Sequence, residues 1–436
     1  MTSIVIKSTD SGAPTLTGQT GSLVTVLDKC LVVNHVFGTS DDVGFTDQSV
    51  EARSEGGTPF NLLLTNVTAA RLYIGMPTTF SRAKFDLATV GVGGTYIWEY
   101  WNGSAWTTLT VTDGTSGFTA DGTVTWTIPS LWATTAVNAV TQYWVRIRAS
   151  VTPGTNPTVN FVTVGGWTRS HTAATNQAAW RQGTGSNGFI FRLVGDGTTQ
   201  DRAVGYETLT TLGSTLAGDT ATGRFPTDAQ FSGGLYWTKS STADATARPW
   251  VVAVSEKLFH LYTDHLSTNI TATHCIFGDI KTFKTGDAYH TIHIAGATGT
   301  PGSTNRAADL VAVGAAVLTA HFMSRNYTQL GTSIIISKHS DAAKLGGIST
   351  PMGAGGLVFP NPIDGGLYLA QVYVHETSAS IVRGELPGFW APLHSRPLTH
   401  LDTFTGTGTL AGRTFMALNM YNSAQAFLET SDTWNV

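Results

Sequence analysis

Charge is scarce in this chain. Only 12% of its 436 residues are Asp, Glu, Lys or Arg, against roughly 25% in ordinary globular proteins. The 25 basic and 29 acidic residues leave a formal net charge of -4, so the basic footprint of a nucleic-acid binder is missing. Lys and Glu also build long surface helices, and their scarcity beside 48 glycines excludes an extended helical layer. Cysteine is limited to Cys30 and Cys275. Two are too few for a disulfide scaffold, and both sit in apolar surroundings, so they read as buried free thiols. Long hydrophobic runs are absent as well. The longest, near residues 310–322, is too short and too rich in Ala and Gly to span a bilayer. The opening MTSIVIKSTDSG has no apolar run of the kind a secretory signal needs. The expectation is a chain that engages neither nucleic acid nor membrane directly. A large protein with few charges shows hydroxyls and amides on its surface, or hides that surface against neighbours, and the second reading points to a homo-oligomer or larger assembly.

What is present is β sequence. Residues 233–295 hold short apolar and aromatic runs separated by Gly, Asn, Asp and Ser/Thr, the mark of consecutive strands. Strands are expected at 235–237, 250–254, 258–262, 273–277 and 290–294, forming a core that the rest of the chain feeds. The clearest helix is SLVTVLDKCLVV, residues 22–33. There Leu23, Val26, Leu27, Cys30 and Leu31 recur at helical spacing behind Ser22 as N-cap.

From residue 34 to about 164 the texture changes. An acidic, Ser/Gly-rich approach gives way to strands, among them the hairpin TYIWEYWNGSAWTTL, residues 95–109, with its turn at Asn102-Gly103. In QYWVRIRAS, Tyr143, Val145 and Ile147 share one face and Trp144, Arg146 and Arg148 the other. An antiparallel β-sandwich accounts for this run. Further strands follow: Phe189, Phe191 and Leu193 alternate with Ile190 and Arg192, and residues 203–209 pair with them. Later strands fall at 311–317, 319–323, 330–339 and 367–374, with two more around Asn422-Ser423. Residues 383–397 read as irregular, with Phe389 and Trp390 as plugs. The fold class is therefore all-β and mainly antiparallel: a β scaffold interrupted by a sandwich, with one short N-terminal helix.

Chemistry leaves few traces. His290 and His293, three apart on a strand, point to opposite faces. Asp279, Asp287 and His290 near one loop read as structural. There is no HExxH, zinc-type cysteine pair, EF-hand or GxSxG, and the Gly-rich pieces lack a P-loop lysine. A glycosidase needs two converging carboxylates, and nothing in the spacing of Glu99, Asp113, Asp121, Glu207, Asp279 and Glu385 pairs any two. The expectation is no enzyme, no catalytic residue, no cofactor and no metal. Aromatics are the strongest binding signal. Trp98, Trp126, Trp132 and Trp144 suit a sandwich core, while Tyr100, Trp101 and Trp106 flank the Asn102-Gly103 turn and are candidate ligand or interface contacts.

Several segments together resemble a family of tailed-phage virion proteins described as structural or tail-associated: SLVTVLDKCLV, GWTRSHTAATNQAAWR, RAVGYET, GGLYWTKSSTADATARPWVVA, FGDIKTFKTGDAYHT and RTFMALNMYNSAQAFLETSDTW. The resemblance covers residues 1–33 and 166–436, and in shorter members the counterpart of 31–33 runs almost directly into that of Gly166-Trp167. It implies three parts. Residues 1–33 begin the scaffold, 34–165 are an inserted sandwich, and 166–436 are the main scaffold, divisible near 296–310. EYWNGSAWTTL, FTADGTVTWTIPSLW and QYWVRIRAS in the insert are similar to small β modules of phage tail, fibre and baseplate proteins. The function so implied is a structural component of a tailed-phage virion, in tail or baseplate, made in the host cytoplasm and working by assembly with other virion proteins. The alternatives are a receptor- or glycan-binding adhesion module, whose partner is a host surface glycan, and a head-associated decoration or connector.

Overall fold

The computed structural model describes residues 3–263, apart from 175, 184–187, 196–199 and 241, and then 273–286, 290–294, 321–328, 334–338, 368–376, 381–392, 398–419, 425–431 and 434. The expected strand at 311–317, the loops at 296–307 and 346–366, the division near 296–310, Asp287 and the Asn422-Ser423 turn lie outside these residues. The architecture is all-β and antiparallel. Its longer helical segment is N-terminal, an α turn over Ser22–Leu27 that widens into a π turn over Asp28–Val32. A second helix, Ser49–Arg53, is a single turn.

Among the described residues the largest sheet has 13 strands, all paired antiparallel. It begins with Ser3–Lys7, Trp250–Ser255, Leu258–Thr263, Thr273–Asp279 and His290–Ile294, each hydrogen-bonded to the next. Every residue of Trp250–Ser255 and Leu258–Thr263 is buried. Both faces of these strands are covered, which is why they read as unbroken apolar runs. Val251, Ala253, Tyr262 and Ile276 face one core, with Phe389 and Leu428. Val252, Val254, Phe259 and Phe277 face another, with Trp167 and Trp180. The sheet curls far enough that Ser3 Oγ, at its first strand, donates to the carbonyl of Ser431, just past the Gln425–Glu429 strand, at 3.1 Å. Both cysteines are free and buried, and burial pushes their thiols well above the ordinary range.

Two expectations need correcting. Leu235–Thr238 is a strand, but it pairs with Gln200–Tyr206 at the edge of a separate five-stranded sheet. Of residues 383–397, expected to be irregular, 383–392 belong to one long strand, Ile381–Pro392. Its ladder to Leu369–Glu376 jumps from Gln371↔Trp390 to Tyr373↔Glu385, so Leu386 to Phe389 bulge opposite Val372. A bulge needs no N–H from Pro387 and accepts Gly388 at φ 71°, so two apparent strand breakers sit where they do no harm. Phe389 and Trp390 are buried, as plugs should be.

Residues 35–163 supply two sheets packed face to face. One has seven strands, in the order Phe45–Asp47, His35–Thr39, Arg71–Met76, Val140–Val151, Thr95–Trp101 and Trp106–Thr108, with Thr135–Val137 added to Val140–Val151. The other has five: Phe60–Asn61, Thr158–Thr163, Arg82–Thr89, Gly122–Thr125 and Thr112–Asp113. Aromatic rings fill the space between them, with Phe85 against Trp98 at 6.0 Å and against Phe118 at 5.1 Å. The alternation read from QYWVRIRAS holds, since Val145 and Ile147 are in this core while Trp144 belongs to a cluster on the outer face.

The chain leaves for the sandwich and returns at one place. Val164 and Gly165 both donate to the carbonyl of Val32, at 2.8 and 3.0 Å. The apolar core does not stop at that doorway. Leu23, Leu27 and Leu31 of the helical segment lie in the same cluster as Phe85 and Trp98 on one side and Trp167 and Trp180 on the other. The helix is pinned by Asp28, whose carboxylate accepts Trp180 Nε1 at 2.9 Å and Arg169 Nε at 2.8 Å. Its N-cap is Gly21 at φ 81°, not Ser22; the Ser22 hydroxyl instead donates back to the carbonyls of Thr17 and Gln19.

Gly75 offers a direct test of packing on the outer face. A Cβ there would lie 2.4 Å from the Trp144 ring, closer than any real contact. Gly75→Ala is expected to destabilise the sandwich by about 2–3 kcal/mol through overpacking. A thermal melt followed by tryptophan fluorescence measures it, and an unchanged transition would show that the ring can move aside freely.

Candidate functional site

The hairpin that carries Tyr100, Trp101 and Trp106 is built as expected, with a longer turn. Trp101 pairs directly with Trp106, leaving Asn102 to Ala105 as the loop. Asn102 Oδ1 accepts the N–H groups of Ser104 and Ala105 at 2.9 and 2.8 Å, and its Nδ2 donates to Thr107 Oγ1 at 2.9 Å. Gly103 takes φ 97°, a conformation that favours glycine.

The three aromatic candidates do not form one site. Trp101 and Trp106 meet edge to face at 5.7 Å on the outer side of the seven-stranded sheet. Tyr100 points to the inner side and packs on Trp132 at 6.3 Å. All three are half-buried. The turn lies at the end of the sandwich that meets the scaffold, where Gln142 Nε2 reaches the carbonyl of Gly12 at 3.0 Å and Ser11 Oγ that of Thr141 at 2.8 Å. It is therefore not a projecting tip.

Around Trp106 the outer face is a fixed network. The Arg146 guanidinium lies 4.5 Å above the Trp106 ring and donates to Glu99 Oε2 at 2.8 Å, where Arg148 joins at 3.3 Å. Tyr73 packs on Trp106 at 5.4 Å and donates to Asp42 at 2.8 Å. Burial works against the Arg146 cation, but its bonds to Tyr73 and Glu99 outweigh that and raise its pKa; burial pushes the Tyr73 phenol up. These charges hold one another. Glu99→Gln is expected to loosen both arginines and lower the melting temperature by about 4 °C or more, since partly buried charge-assisted bonds contribute about 1.5–3 kcal/mol. Calorimetry at two salt concentrations checks it; a loss that vanishes in high salt would mark the pair as merely superficial.

The other carboxylates singled out in the sequence hold structure as well. Asp113 caps its own turn through Thr115 and Gly117, and Asp121 accepts the Leu87 N–H at 2.8 Å. Glu207 pairs with Arg325 at 2.6 Å, Asp279 accepts Gln182 Nε2 at 2.6 Å, and Glu385 faces Lys281 at 3.6 Å. His290 and His293 occupy the His290–Ile294 strand. Among the described residues no three His, Cys, Asp or Glu side chains gather as a metal site, and no helix is long and apolar enough to cross a membrane.

Two surface features escaped the sequence reading. The first is the end of the sandwich opposite the doorway, where the loops after Leu64, Thr89 and Val151 meet. Gly154 donates to the carbonyl of Val92 at 2.7 Å and Asn66 to that of Pro153 at 2.9 Å. Val67, Val90, Val92 and Val151 are exposed there, from 44% at Val67 to 60% at Val92. Isolated valines among Gly and Thr carry no periodic signal, so only the fold brings them together. The second is an open groove of about 600 Å³ between the free edges of the two sheets, with Tyr100 on its wall. Comparison with protein-family models, with curated proteins and with solved structures returns no match.

Proposed function

We propose that this chain is a structural component of a tailed-phage particle, in its tail or baseplate, and that it works by assembly with other subunits. Residues 34–165 are then an insertion that carries an extra contact surface away from the scaffold. The observation that carries the reading is the valine-bearing end of the sandwich. Four valines are exposed on the loops that meet at the end of the sandwich opposite the doorway, in a chain with few charges. Grouped apolar exposure of this kind marks contact surfaces. The use of its carboxylates as caps and ion pairs suits a scaffold. The family resemblance of residues 1–33 and 166–436 supplies the phage context.

The test is direct. Purified particles of the phage that encodes the chain are analysed by mass spectrometry and labelled with an antibody to residues 34–165. Stoichiometric recovery with label on the tail or baseplate supports the reading. Absence of the chain from washed particles overturns it, and label confined to the head moves it to decoration or connection.

A further inference from the structure

The groove beside Tyr100 has a lining that selects for one ligand chemistry. It lies where the chain crosses between sheets, from the edge strand Trp106–Thr108 to the edge strand Thr112–Asp113, and its other bank is the segment that follows Gly122–Thr125. Thr108, Thr110, Thr125 and Thr127 line it, all exposed, with Tyr100 half-buried on the wall and Trp126 almost fully buried at its base. No Asp, Glu, Lys, Arg or His takes part in the lining. Among the described residues, none of those four threonine hydroxyls nor the Tyr100 hydroxyl has a hydrogen-bond partner in the chain. Trp126 is locked, its Nε1 donating to the carbonyl of Phe80 at 2.8 Å and its ring set edge to face on Phe80 at 5.5 Å.

Each property excludes something. Without a cation the groove has nothing to hold a phosphate, sulfate or carboxylate. Without a carboxylate or imidazole it has nothing for a metal ion or an ammonium group. A purely apolar ligand would strand a row of hydroxyls without partners. A neutral polyhydroxyl ligand suits both parts of the lining: its hydroxyls exchange hydrogen bonds with the threonines, and its C–H faces rest on Tyr100 and on the apolar side chains of Val111, Ile128 and Pro129. The volume falls within the range of small-molecule sites, roughly 300–1,000 Å³, and the groove lies open to solvent. We infer that this groove is a binding site for neutral oligosaccharides. The inference stands on the lining alone and holds whatever particle the chain belongs to.

The whole chain is titrated with neutral pentasaccharides, namely maltopentaose, cellopentaose and chitopentaose, with binding read by calorimetry and site by hydrogen exchange. At least one is expected to bind and to protect residues 108–112 and 125–129. The double variant Thr110→Val, Thr127→Val alters two exposed side chains and leaves the core intact. It is expected to weaken binding about tenfold or more, the loss expected of two hydrogen bonds, with its melting temperature unchanged. Tyr100→Phe, which keeps the ring on Trp132, is expected to weaken it less. Failure of all three sugars to bind overturns the inference, as does binding that the double variant leaves untouched. Equal binding of an anionic sugar such as a pentagalacturonate would also overturn it, because the groove has no charge with which to accept one.

Discussion

Replacing Asp219 by alanine is expected to destabilise the chain by about 3–5 kcal/mol, the penalty for stranding one partner of a buried ion pair. Arg192 and Asp219 are 0% and 1% exposed, with Arg192 Nε 3.1 Å from the carboxylate. The same carboxylate accepts the Gly213 N–H at 2.8 Å and the Tyr206 hydroxyl at 2.9 Å, so its loss also leaves two neutral donors unmet. Burial already pulls the Arg192 pKa down, with Asp219 the group that resists. Hydrogen exchange is expected to show the opening first in 190–195 and 200–222, before the sandwich loosens. Asp219→Asn, which keeps the shape and some of the bonds, is expected to recover part of the loss. A melt within about 1 °C of wild type for the alanine variant would mean that water reaches this pair and screens it, as it does for exposed pairs.

The second large effect is on pH dependence. His260 is buried in a ring cluster with Phe389, at 5.4 Å and nearly parallel, and His274, at 5.6 Å. Its Nε2 bonds the carbonyl of Pro387 at 3.0 Å, and among the described residues its Nδ1 has no hydrogen-bond partner. Burial lowers its pKa from 6.5 to about 4, the Pro387 bond resisting only partly. Between those two values the unfolded chain binds a proton that the folded chain refuses. The contribution of His260 is therefore whole above about pH 6.5, falls as pH drops through the window, and is gone near pH 4. It is worth on the order of 3 kcal/mol. His35, held down to about 4 chiefly by burial, slopes the same way. Denaturation midpoints measured from pH 7 to pH 4 are expected to fall steeply, and His260→Phe to flatten much of that fall while leaving the His35 share. An unchanged slope in the variant would show that the acid sensitivity arises elsewhere.

How much of this was legible beforehand depends on how local the cause was. The hairpin at Trp101 and Trp106, the faces of Val145 and Trp144, and the runs at 250–255 and 258–263 follow from side-chain alternation or its absence, and all could be read from the chain. Arg192 could not. On an alternating strand it resembles an outward charge, and only the return of Asp219 from 27 residues away shows that it is buried. The strand through Pro387 and Gly388 was hidden because a bulge reverses the usual meaning of both residues. Of the groove only Tyr100 is legible in the sequence, as a ring beside the Asn102-Gly103 turn. Its threonine partners come from both sheets and look, one by one, like any exposed β-strand residue.

The doorway at Val32 and Val164 has a consequence for how such a chain can be rebuilt. Because the two ends of the 34–163 stretch are held within one peptide's reach of each other, a joint of a few residues could close the gap and the scaffold's hydrogen bonding would hardly register the excision. The oily seam would. With the sandwich gone, Leu27, Leu31 and Trp167 would lose part of their cover, so any replacement module has to arrive with a lid for that seam. The site is permissive in connectivity and selective in chemistry, like a socket that accepts many plugs but only those with the right gasket.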